Sequence, residues 1–72
     1  MITEEQLMNW FSYHAPKDGE TALRYEAIRL AGLAFARIIV EEAPAGPDQT
    51  AAIRKVREAV MTANAAIACE GK

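Results

Sequence analysis

One interruption governs what this chain can fold into. Ala43-Pro44-Ala45-Gly46-Pro47-Asp48 packs two prolines and a glycine into a short stretch. Proline removes a backbone donor and clashes with the preceding turn, so no helix runs through it. On either side lie two proline-free runs of good helix formers, about Glu20 to Ala43 and about Asp48 to Glu70. At 1.5 Å per residue each makes a helix of about 35 Å. Two equal helices joined by a short loop fold back as an antiparallel hairpin. Pro47 or Asp48 is expected at the start of the second helix, and Gly71 just past its end.

The segment before the hairpin carries its own signals. Thr3-Glu4-Glu5-Gln6 reads as a capping box, with Thr3 capping and Gln6 reaching back. A short helix is predicted from about Glu4 to Phe11. It must end before Pro16, which pushes Ala15 toward extended geometry. Lys17-Asp18-Gly19 reads as a turn. The expected fold is all-α, a short N-terminal helix followed by a long antiparallel hairpin, with residues 1–72 forming a single helical domain. No repeat, low-complexity stretch or glycine-rich phosphate loop interrupts this pattern.

The apolar pattern then raises a difficulty. In the first long helix Ile28, Ala31, Phe35 and Ile39 form one stripe. Leu23, Ala27, Leu30, Ala34 and Ile38 form a second beside it, and Tyr25, Leu33, Ala36 and Val40 widen it further. A helix apolar around most of its girth is buried on more than one side. The second helix, with Ile53, Val56, Val60, Ala63 and Ile67 in register, covers only one of those sides. A chain of 72 residues gains only roughly 3–5 kcal/mol from its own core. Cys69 is the sole cysteine, so no internal disulfide helps, and a lone thiol fits a reducing cytoplasm. Cys69 and His14 are too few for a zinc site. Partner subunits remain, and an oligomer is expected.

Charge and hydropathy exclude other classes. The net charge of −2 argues against a binder of DNA or RNA polymers, which carries a basic balance. Thr3, Glu4 and Glu5 stand where a signal peptide would be basic. The apolar run Leu30 to Val40 contains Arg37 and falls well short of the roughly 20 residues that span a bilayer. No membrane association is expected.

Few residues suggest chemistry. Trp10 and Phe11 read first as a staple of the short helix onto the hairpin. Tyr13 lies where that helix gives way to extended chain, so its ring is either a stacking platform for a base or an amphipathic edge residue. His14 has no serine or cysteine nucleophile near it in sequence, and a histidine beside a helix end is more often structural. Glu4-Glu5 and Glu41-Glu42 are adjacent pairs that point to different helix faces, which suits solvated surface better than an acid/base dyad. No enzyme activity, metal or cofactor is expected. Arg24 and Arg29 open the long helix just after the aromatic segment. Arg54, Arg57, Met61 and Asn64 fall on one line of the last helix. The two arginines on that line pair with acids such as Glu58 of another copy, or they meet an anion. Asparagine is a poor mid-helix residue, so Asn64 is expected to make a specific hydrogen bond to a ligand or across a subunit boundary.

Three blocks carry a resemblance. Phe11-Ser-Tyr-His-Ala-Pro16, Arg24-Tyr-Glu-Ala-Ile-Arg29 and the long block from Ala51 to Ala68 resemble the second anti-CBASS protein family of bacteriophages. CBASS is the bacterial defence that signals infection with cyclic oligonucleotides. The resemblance runs from about Trp10 to Cys69, and the last block is its most specific part. It implies a helical hexamer that sequesters cyclic dinucleotides and, in separate pockets, cyclic trinucleotides, without cleaving them, in the cytoplasm of the infected host. It implies that Tyr13 of the Tyr-His-x-Pro segment stacks on a base, with His14 and Pro16 beside it. Arg24 or Arg29 is then the phosphate contact. Arg54, Arg57 and Asn64 are the trinucleotide candidates.

Two other readings compete. A helical protein-interaction module without a small ligand explains the alanine-rich helices equally well, but not Tyr13, Arg24 and Arg29. A small phosphodiesterase lacks both metal ligands and a positioned nucleophile.

Overall fold

In the computed structural model, which describes all 72 residues, the chain forms three helices and no strand. They are α1 (Glu4–Trp10), α2 (Gly19–Glu42) and α3 (Pro47–Ala68). The boundaries follow local chemistry. Thr3 Oγ1 accepts from the Gln6 amide at 3.1 Å and Gln6 Oε1 accepts from the Thr3 amide at 2.9 Å, which completes the expected capping box. α2 begins earlier than the sequence suggests. Asp18, expected within a turn, is its N-cap, with Oδ1 accepting from the Thr21 amide at 2.8 Å.

The hairpin loop is secured from α3. Gln49 Nε2 donates to the carbonyls of Ala43 at 3.0 Å and Val40 at 3.4 Å, which satisfies acceptors left open at the end of α2. Pro47 occupies the first turn of α3. α3 closes with the Gly71 amide on the Ala66 carbonyl and the Glu70 amide on that of Ile67, the paired bonds of a Schellman turn. Glu70 takes the left-handed position at φ 55°, and Gly71 follows at φ 75°. The sequence pointed only to the glycine.

α2 and α3 pack antiparallel along their length, whereas α1 has no comparable packing. The α3 side of the seam uses Ile53, Val56, Val60, Ala63 and Ile67 as expected, all half-buried. The α2 side is shifted. Tyr25, Ile28, Gly32, Ala36 and Ile39 are half-buried, while Ala31 and Phe35 of the expected stripe are exposed. Gly32 explains the shift. A Cβ there would collide with Val60 Cγ2, so the backbones meet where a side chain is missing, and hydrophobicity alone does not mark that point.

No residue is buried in the single chain. Its accessible surface is 5878 Å², whereas a folded monomer of 7.9 kDa exposes about 4,400 Å². Its radius of gyration is 15.1 Å, against about 11 Å for a compact domain of this length. Leu23, Leu30, Phe35, Ile38 and Val40 are all more than half exposed. The all-round apolar helix therefore stays largely uncovered by its own chain.

The Gly32 contact sets a prediction. Alanine at 32 gains about 1 kcal/mol of helix propensity, but overpacking against a stiff valine costs about 1–3 kcal/mol. Gly32→Ala should lower the melting temperature in the wild-type background and raise it in a Val60→Ala background. Stabilisation in both backgrounds would mean that the helices do not meet at Gly32.

Candidate functional site

The polar concavity of the chain lies where the Tyr13 segment, the first turns of α2 and the last turn of α3 come together. It encloses about 500 Å³. Tyr13 and His14 form one wall, Thr21, Arg24 and Tyr25 the second, and Ile67, Ala68 and Glu70 the third. Three residues singled out by sequence, Tyr13, His14 and Arg24, thus converge. Tyr13 is 89% exposed. His14 is half-buried, with Nε2 2.6 Å from the Asn9 carbonyl oxygen. When Nε2 carries the proton it donates to that carbonyl, which ties the segment back to α1. Pro16 does not line the cleft. It fixes the backbone between His14 and Lys17.

Arg29 lies elsewhere. It lines a shallow groove on another part of the hairpin with Leu33, Ile53 and Arg57. It is five helical positions from Arg24, so the two point about 140° apart. Tyr13, Arg24 and Arg29 therefore do not form the single cluster that their sequence order suggested. Arg54 and Arg57 sit together with Glu58 and Met61 in a small recess of about 170 Å³. Asn64 does not line that recess. Its Oδ1 is enclosed and has no hydrogen-bond partner in the chain. Arg29, Arg54 and Arg57 form no ion pair within the chain.

The aromatic staple is half present. Trp10 Nε1 donates to the Lys72 carbonyl at 3.0 Å, so Trp10 does tie α1 to the end of the hairpin. Phe11 is 85% exposed and staples nothing. Sequence reasoning missed Lys17, Thr21, Tyr25 and Glu70 as cleft residues. Tyr25 was counted only as apolar surface, although Thr21 and Tyr25 are one helical turn apart and face the same way.

The cleft carries two cations, Lys17 and Arg24, against three carboxylates, Asp18, Glu20 and Glu70. Lys17 pairs with Glu70, and Arg24 Nη2 lies 2.9 Å from Glu20 Oε1. Both pairs are solvent-exposed, and such pairs contribute about 0–1 kcal/mol. A phosphate would compete with the Glu20 carboxylate for the Arg24 guanidinium, since both anions form charge-assisted hydrogen bonds with it. The Asp18 carboxyl is held below its ordinary 3.8, chiefly by the Thr21 amide and then the Thr21 hydroxyl. The Glu70 carboxyl is held below its ordinary 4.5, first by its hydrogen bond to Lys17 and then by the charge on Lys17.

Both shifts depress the folded-state value. Each carboxylate therefore stabilises the fold above its unfolded value, and that contribution disappears as pH falls through the lower folded value. The melting temperature should be level near neutrality and fall once pH drops into the carboxylate range. The fall should be shallower in Asp18→Asn, Glu70→Gln chains. An unchanged profile in that double variant would place the acid sensitivity elsewhere.

With this geometry established, the comparison with known families is direct. The family model described as Acb2/Tad1, hairpin domain, matches residues 3–68. No curated protein and no solved structure matches the chain. The matched span takes in α1, the Tyr13 segment and the whole hairpin: the chain belongs to the Acb2/Tad1 hairpin-domain family, in keeping with its anti-CBASS resemblance.

Proposed function

We propose that this protein is a sponge for the cyclic nucleotide signals of CBASS. Family membership points to an anti-CBASS, cyclic-nucleotide-binding role. The observation that carries the finer reading is the convergence of Tyr13, His14 and Arg24 on one cleft. An exposed ring for a base lies beside a guanidinium for a phosphate. A cyclic dinucleotide carries two bases and two phosphates related by an approximate twofold axis. Two copies of the cleft across a twofold axis match it in number and kind.

The second proposed site uses Arg57 and Asn64. Seven residues apart, they share one face of α3 about 10 Å from each other. Three copies around a threefold axis present three guanidinium forks and three amides to a cyclic trinucleotide. The Asn64 Oδ1 is enclosed by its own chain, so the contact we propose from outside falls to its amide nitrogen. The surface excess of roughly 1,500 Å² over a compact monomer equals about two standard interfaces of roughly 800 Å² per chain. Two kinds of interface in each chain generate both axes, and a hexamer contains both. We place this assembly in the cytoplasm of a phage-infected host, where it withdraws the signal without cleaving it. No helix is long and apolar enough to cross a membrane.

A protein-interaction module is the second reading. It is favoured by the apolar groove of about 580 Å³ between α2 and α3, lined by Ile28, Phe35, Ile39 and Val60. Calorimetric titration against cyclic di- and trinucleotides separates the two. Tyr13→Ala should weaken dinucleotide binding at least tenfold, since one stack contributes roughly 1–3 kcal/mol, and Arg24→Ala should weaken it too. Arg29→Ala should spare it. Arg57→Ala should weaken trinucleotide binding alone. Nucleotide recovered after denaturation should be intact. No binding of any cyclic nucleotide would favour the interaction module, and cleaved product would favour an enzyme.

A further inference from the structure

The Tyr13 segment has no regular secondary structure between α1 and α2, yet both of its flanks are tied to one short turn. On one side Trp10 Nε1 donates to the Lys72 carbonyl. On the other the Lys17 ammonium pairs with the Glu70 carboxylate. Next to the first anchor the Asn9 carbonyl accepts from Cys69 Sγ at 3.8 Å and lies within hydrogen-bond distance of His14 Nε2. Glu70 reaches Lys17 from the left-handed position that closes α3. That conformation is uncommon for a residue other than glycine.

We propose that the turn Cys69–Lys72 is a clasp that positions Tyr13, with Trp10, Lys17 and Glu70 as its positioning residues. The inference rests on the reading of the cleft as a cyclic dinucleotide site. Tyr13 itself is almost wholly exposed, so little packing fixes its ring. Its placement comes from anchors three residues before it and four residues after it. A ring held in place before the ligand arrives forgoes less conformational freedom on stacking. Glu70 has two opposite effects on an anionic ligand. It neutralises Lys17, which weakens attraction to phosphate, and it holds the segment, which favours stacking. The clasp predicts that holding dominates.

Two readouts test this, one of them independent of any ligand. Backbone ¹⁵N relaxation should give residues 12–15 and 17 of the wild-type chain order parameters near those of the helices. In Trp10→Phe, which keeps an aromatic side chain but loses the donor, and in Lys17→Glu and Glu70→Lys, those values should fall below about 0.6. The double variant Lys17→Glu, Glu70→Lys restores the pair with its charges exchanged and should regain the order. Titration with cyclic di-GMP and cyclic di-AMP should show at least a threefold loss for Trp10→Phe, with unchanged salt dependence. Unchanged order parameters in the single variants would overturn the clasp whatever the ligand does. Wild-type affinity in Trp10→Phe would overturn it as well, whereas a wild-type chain that binds neither nucleotide while the order parameters behave as stated would count against the cleft reading alone.

Discussion

The seam between α2 and α3 is the one sizeable apolar contact the chain makes with itself, and it is thin. It closes around Gly32 and Val60 and leaves every residue at least partly solvated. Two helices side by side have no third layer to enclose a core, whatever their sequence. The alanine-rich, apolar surface of α2 therefore stays exposed in the single chain, and under the proposed assembly folding and association would be coupled.

The polar end of the molecule follows another logic. Around the cleft, single hydrogen bonds and exposed ion pairs replace packing, and they join segments far apart in sequence. Trp10 meets Lys72, Lys17 meets Glu70, and Asn9 meets Cys69. Such links contribute little individually, but together they give an irregular segment a defined path. The cations of the cleft are paired with exposed acids, whereas Arg29, Arg54 and Arg57 have no ionic partner in the chain.

Much of the fold was legible because it depends on local chemistry. Pro44 and Pro47 fix the hairpin, and Thr3 and Gln6 fix the start of α1. The reading weakened where tertiary geometry decides. Gly32 carries no hydrophobic signal yet sets the helix–helix approach, so Ala31 and Phe35 of the expected stripe flank the seam and stay exposed. Asp18 looked like a turn residue and is a cap, because the two roles use the same side-chain oxygen. For the candidate site, the Tyr-His-x-Pro segment and Arg24 were visible, but sequence order alone grouped Arg29 with them across a helix that turns it away. Lys17 and Glu70 are brought together only by the closing turn of α3, and no local pattern announces that meeting.

The account depends most on the claim that this hairpin is completed by copies of itself. Light scattering coupled to size-exclusion chromatography at micromolar concentration, without nucleotide, tests it directly. The predicted mass is about 47 kDa, six chains of 7.9 kDa each. A well-folded species at the mass of one chain would contradict it, because the exposed surface of α2 would then need no partner and neither symmetry axis would exist to build a site.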